Sequence, residues 1–198
     1  VGHRLRYVYL SLHGGSARIH NRLVRSDGLQ QTYGALANLT GRGMDLTANC
    51  VVTRQNVDHL RELVDSVLPY EDVTLKLSMV EPKGGGVDHF DRLTPRVAEA
   101  AEKVCDALRY GYEQAGQGAT TPLGTPRFTH GAFPLCLMPG FEHLYDDLKT
   151  DRFWTMIEVG EPDFFPVDDL NKVQPEDSCR GCALSGPCPG LYQGYAER

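Results

Sequence analysis

Residues 5–115 alternate between two hydrophobic periods, and that alternation leaves few folds open. Residues 5–12 (LRYVYLSL), 45–53 (DLTANCVVT) and 73–80 (VTLKLSMV) are rich in β-branched and aromatic side chains, as strands are. Between them, apolar residues recur at helical spacing. Tyr33, Leu36, Ala37 and Thr40 do so within residues 30–42, and Leu60, Leu63, Val64 and Val67 share one face of a helix ending near residue 68. Asn56 stands where a cap for that helix is expected, and Pro69 helps end it. Thr94 and Pro95 open a long helix reaching about residue 115. Strand–helix repeats with short turns predict parallel strands joined by right-handed crossovers. Three such units cannot close a barrel and leave one long edge unpaired. The expected fold is therefore α/β, a partial (β/α) barrel of parallel strands. Its N-terminal half would lie outside these 198 residues, since strand-like sequence begins within a few positions of Val1.

From Gly116 the texture changes. Residues 116–139 are rich in Gly, Thr and Pro without a clear period and read as a linker or loop. A mixed segment with Phe153, Trp154, Phe164 and Phe165 follows, and then a run of cysteines. The expected division is 1–117 for the barrel portion and 118–198 for a small C-terminal, cluster-binding extension. No apolar run approaches the roughly 18 residues of a membrane span, so no membrane role is expected. A net charge of −6 argues against nucleic acid as the main partner, because phosphate binding needs clustered Lys and Arg. No charged-then-apolar leader follows Val1, and the expected compartment is cytoplasmic.

Six cysteines carry the chemistry. Cys50 and Cys105 sit singly in strand-like and helix-like patterns and read as core. Cys179, Cys182 and Cys188 form C-x2-C-x5-C, with Gly181 and then Gly186-Pro187 turning the chain so that three thiolates converge. A tetrahedral site needs a fourth ligand, and Cys136 is the candidate. By spacing, the site suits either one zinc ion or a [4Fe–4S] cluster, since both accept four thiolates.

The first half resembles the later part of a radical S-adenosylmethionine (SAM) barrel. The resemblance rests on motifs in order over about residues 5–82: Ser11-Leu-His13-Gly14, His20, Arg25, residues 28–33, Gly43-Met44, Asn49-Cys-Val51 and Thr53-Arg-Gln-Asn56. The tail is similar to the start of the cluster motif in SPASM and twitch extensions of that superfamily, with Cys136 as the isolated upstream ligand. Tyr192 stands where a full SPASM motif has a further cysteine, so the twitch type is the better match. The C-x3-C-x2-C triad that binds the SAM-cleaving cluster is nowhere in these residues.

The resemblance implies an enzyme in which a 5′-deoxyadenosyl radical abstracts hydrogen from a peptide, protein or small molecule. Its cofactors would be SAM, an auxiliary [4Fe–4S] cluster on Cys136, Cys179, Cys182 and Cys188, and a second [4Fe–4S] cluster on a segment absent from this chain. Its partners would be that substrate, the missing barrel half and an electron donor such as a flavodoxin or ferredoxin. It further implies that Ser11 holds the amino-acid moiety of SAM, that Asn49 faces the barrel interior and that Arg25 pairs with the SAM carboxylate. Leu77 or its neighbours would flank adenine, and His13 would face the substrate. As a strand-end histidine, His13 equally suits a bond to local backbone. His20, His130 and His143 read as surface or local-structure residues. The rival reading is a non-catalytic module, a degenerate barrel with a zinc-binding tail that engages a partner protein.

Overall fold

The structure is a computed structural model that describes residues 6–146 and 172–198, with the backbone alone of 155–156 and 165–166. The segment holding Phe153, Trp154 and Phe164 lies outside the described residues. Four strands form one parallel sheet in the order β1 (Tyr7–Ser11), β2 (Asp45–Val52), β3 (Val73–Met79) and β4 (Phe128–Gly131). Each crossover moves one strand further in the same direction. That winding without reversal is the winding of a barrel wall, and the four described strands do not close on themselves.

The connections hold α1 (Ala17–Val24), α2 (Leu29–Leu39), α3 (Leu60–Val67), the single-turn α4 (Gly85–Asp88) and α5 (Phe90–Leu93), and the long α6 (Val97–Ala115). Alternation along the strands sorts their side chains onto two faces. Leu12, Leu46, Ala48, Cys50, Val52, Val73, Leu75, Leu77, Met79 and Phe128 join one buried cluster with Leu29 and Leu36 of α2, Leu60, Leu63, Val64 and Val67 of α3, and Ala100, Val104 and Leu108 of α6. The opposite face carries Tyr7, Tyr9 and Ser11, then Asp45, Thr47 and Asn49, then Thr74, Lys76 and Ser78, then Thr129 and Gly131. Such polar side chains belong on the inside of a barrel that binds ligands, not under helices.

The linker expected over residues 116–139 is not one. It contains β4, which pairs with β3 from Leu75↔Phe128 to Ser78↔Gly131, so the sheet runs past the boundary placed at residue 117. Four residues, FTHG, flanked by Gly, Thr and Pro, are too short to show a period. Arg127, buried at the start of β4, donates from Nε to Val73 O (3.1 Å) and from Nη2 to Val67 O (3.3 Å), locking that strand to the turn between α3 and β3. Tyr145 then makes a parallel bridge to His130 at the outer side of β4. The sequence also gives no hint of α1, because its residues ARIHNRLV look polar; its buried side is only Ile19 and His20.

The tail comprises β7 (Lys172–Val173) paired antiparallel with β8 (Leu191–Tyr192), and the single turns α7 (Glu176–Cys179) and α8 (Gln193–Ala196). Two further short strands, β5 (Thr155–Met156) and β6 (Phe165–Pro166), pair antiparallel. Tyr195 docks the tail on the barrel: its hydroxyl accepts from Val97 N–H at the start of α6 (2.9 Å) and its ring meets Phe90. Gly194 lies against Pro82, just beyond the end of β3. No helix among the described residues is long and apolar enough to cross a membrane.

Candidate functional site

Ser11, Asn49, Lys76 and Thr129 are register partners across β1 to β4, so a hydroxyl, an amide, an ammonium and a hydroxyl stand in one line across the open face. One pleat repeat nearer the carboxyl ends come Val51, Ser78 and Gly131. Ligands of parallel sheets bind at that end. Ser11 is exposed there, while Asn49 and Lys76 are buried. Ser78 Oγ donates to Asn49 Oδ1 at 2.8 Å, which fixes the amide of Asn49 and leaves its Nδ2 as a donor on the face.

His13 follows β1 and is held by the backbone of its neighbour: its Nδ1 accepts from Val51 N–H at 3.2 Å. Its own N–H donates to Nδ1 of buried His20 at 3.1 Å, and the two rings stack at 6.0 Å. Both bonds need an unprotonated Nδ1, so both rings are neutral and carry their proton on Nε2. Burial, and then the neighbouring His20, push His13 down to about 4. The local-backbone reading of His13 holds for Nδ1, while Nε2 remains available as a donor. His20 is a buried local-structure residue. So is His130, whose Nε2 meets Phe141 O at 2.9 Å, whereas His143 is exposed.

Asn56 does not cap α3, which starts only after a 3-10 turn over Val57–His59. It is 1% exposed and joins the ends of two strands. Its Nδ2 donates to His13 O (3.0 Å) and Val51 O (2.9 Å), and its Oδ1 accepts from Thr53 N–H (2.7 Å). Those bonds set the spacing between the strand ends that present Ser11, His13 and Asn49.

Leu77 and Arg25 lie apart from the polar rows. Leu77 lies on the helix face, 1% exposed within the core, so it cannot flank a ligand on the interior face; its neighbours Lys76 and Ser78 do face that way. Arg25 is an exposed residue in the left-handed region (φ 54°) that ends α1, outside the polar rows. Cys50 is fully buried on the helix face, where burial raises its thiol well above the usual range, and Cys105 is buried on α6.

Cys136 and the C-terminal cysteine loop meet through the turn after β4. Cys136 sits in the 3-10 turn Leu135–Leu137, directly after β4. Leu135 N–H donates to Cys188 Sγ at 3.4 Å, and Gly190 N–H donates to the same sulfur at 3.4 Å. Burial first, and then the neighbouring thiols with Cys188 foremost, raise the Cys136 thiol. Among the described residues, no three His, Cys, Asp or Glu side chains are grouped as a single metal ion would need. All four thiols are free, and Gln174 Nε2 ties the cysteine loop by donating to Ser185 O and Cys188 O, each at 2.7 Å.

No protein-family profile matches the chain, and no solved structure does. Two curated proteins do. One is "Mycofactocin maturase MftC" of Mycolicibacterium smegmatis, 34% identical over 102 residues that cover 51% of this chain and 26% of the relative. The other is "Mycofactocin maturase MftC" of Mycobacterium ulcerans, 24% identical over 228 aligned residues that cover 95% of this chain and 61% of the relative. The chain thus spans less than two thirds of the length of either relative.

Proposed function

We propose, from a resemblance to the radical SAM family with a SPASM-type extension that the curated relatives bear out, that this chain supplies barrel wall and an auxiliary cluster site to a radical SAM enzyme. On this reading the whole protein modifies a peptide or protein, in keeping with the word maturase in the relatives' names. The observation that carries the proposal is that Cys136 follows β4 directly. The cysteine loop, bonded to Leu135 through Cys188, therefore lies toward the same end of the sheet as Ser11, His13 and Asn49.

Reductive cleavage of SAM supplies a 5′-deoxyadenosyl radical for hydrogen abstraction, and the cluster motif that this step needs is not among the 198 residues. This chain's own residues bind and orient. Ser11 and Asn49 offer a hydroxyl and an amide to the cosubstrate, and neutral His13 offers Nε2–H to the substrate.

Cys136, Cys179, Cys182 and Cys188 form an all-thiolate donor set that suits an iron–sulfur cluster. The two N–H···S bonds to Cys188 suit a ligand whose sulfur keeps negative charge. The proposal includes a cytoplasmic setting and an electron donor of the flavodoxin or ferredoxin kind, since a low-potential cluster must be reduced before it can act. The barrel portion then extends beyond residue 117 to include β4, and the extension follows it.

The test is anaerobic incubation of the full protein with SAM and dithionite, with 5′-deoxyadenosine measured by chromatography. Formation of 5′-deoxyadenosine is the expected result. Its absence, with one tightly held zinc per chain and no iron, would favour the partner-binding module.

A further inference from the structure

Leu135 opens the 3-10 turn Leu135–Leu137 that carries Cys136, soon after β4. The first N–H of such a turn has no acceptor within the turn and needs one outside it. It finds Cys188 Sγ, 53 residues along the chain, at 3.4 Å. The same sulfur accepts from Gly190 N–H at 3.4 Å, a local bond across two residues. A thiol sulfur is a weak acceptor, whereas two amides aimed at one sulfur suit a thiolate.

Other contacts hold both sides of the Leu135 bond. Cys188 N–H donates to Leu184 O at 2.9 Å, and its carbonyl accepts from Gln174 Nε2 at 2.7 Å, so its backbone is fixed from two directions. On the barrel side, Leu137 N–H donates to Pro134 O (2.9 Å) and Met138 N–H to Leu135 O (3.0 Å). Cys105 of α6 donates from Sγ to Leu137 O at 3.8 Å, and Phe133 and Met138, which flank the turn in sequence, are fully buried. Between β4 and the turn, Ala132 is held at φ +61°, a left-handed conformation that a residue with a Cβ keeps only where its surroundings impose it. The donor therefore belongs to the barrel wall and the acceptor to the extension.

We propose that Leu135 N–H is a positioning contact through which the barrel wall raises the reduction potential of the auxiliary cluster. An added electron puts more negative charge on the sulfurs of an iron–sulfur cluster, so an N–H donor to a ligand sulfur favours the reduced state. Gly190 supplies one such donor from within the extension and acts wherever the extension folds. Leu135 supplies the other from the barrel, and only while the extension is seated there. The cluster thus accepts an electron more readily when the two parts are docked. The inference rests on the proposed cluster assignment.

The experiment is a redox titration of the full, anaerobically purified protein followed by electron paramagnetic resonance, the auxiliary signal being the one that Cys182→Ala removes. The step is a one-electron reduction by dithionite through mediators, with no bond or proton transferred. Replacing Leu135 by its α-hydroxy acid turns the amide into an ester, which removes the N–H and keeps the side chain. The reduced-to-oxidised ratio at a fixed potential is expected to fall roughly 2- to 10-fold, a downward shift of up to about 59 mV. The same replacement at Leu137 breaks the bond to Pro134 O but spares the sulfur bond, and should leave the potential unchanged. Where the Leu135 ester holds no iron, protein grown with heavy-nitrogen leucine decides. Its reduced auxiliary cluster should show a coupling to that nitrogen in pulsed spectra, lost in Leu135→Met, which keeps the N–H but not the label. Three results overturn the inference and leave the proposed function standing: an unchanged potential in the iron-loaded Leu135 ester, an equal shift in the Leu137 ester, or no labelled coupling that depends on Leu135. Absence of any iron signal that depends on Cys182 overturns the proposed function, and the inference with it.

Discussion

Replacing Asn56 by Ala should cost about 3–5 kcal/mol of folding stability. The side chain is 1% exposed and satisfies His13 O, Val51 O and Thr53 N–H at 2.7–3.0 Å. Alanine leaves those buried backbone groups without that partner, and each unsatisfied group costs about 1–3 kcal/mol. The sum is not additive, since a water can enter the space and serve some of them, so the estimate sits below the upper bound. Asn56→Asp should be similarly harmful, because a carboxylate oxygen would then face two carbonyl oxygens. Urea denaturation followed by circular dichroism gives the stability, and hydrogen exchange at the Thr53 amide reads the site locally. A loss below about 1 kcal/mol with Thr53 still protected would refute the role of Asn56 as the clip between β1 and β2.

Further consequences are more limited. Gly190 has φ +81°, and a Cβ there would lie 2.1 Å from Val173 O, so Gly190→Ala should break the β7–β8 pair and lower iron bound per chain by up to about four, the content of one cluster, measured colorimetrically. Tyr195→Phe removes the acceptor of Val97 N–H at the start of α6 and should cost about 1 kcal/mol in denaturation while sparing iron content. His13 and His130 both fold with pKa values pushed down to about 4 by burial, from 6.5. The unfolded chain therefore takes up their protons more readily than the folded one. Stability of the cluster-free protein is full above about pH 6.5 and falls as pH drops toward 4, and His130→Asn should flatten that fall in thermal melts across the window.

Much of the sheet was legible because β2 and β3 are long enough to show alternation, and α3 and α6 bury regular stripes. β4 was missed because four residues carry no period, and α1 because its buried side is only Ile19 and His20. At the site, Ser11, His13 and Asn49 were readable as strand-end polar residues. Leu77 lies in the core, and alternation from Asn49 through the register to Lys76 settles that its neighbours Lys76 and Ser78 are the β3 residues that face inward. Asn56 was read as a helix cap because capping and strand-end clipping draw on the same side-chain chemistry.

The decisive measurement is metal and sulfide analysis of anaerobically purified protein, with an electron paramagnetic resonance spectrum after dithionite reduction, for wild type, Cys182→Ala and Cys50→Ala. Because the full protein should also hold the SAM-cleaving cluster, the reading lies in the difference between variants. Cys182→Ala should lose about four irons and four sulfides and one reduced-cluster signal, while Cys50→Ala, altered on the helix face, should match wild type. Equal loss in both variants, or one zinc in place of the iron that Cys182 holds, would contradict the cluster assignment.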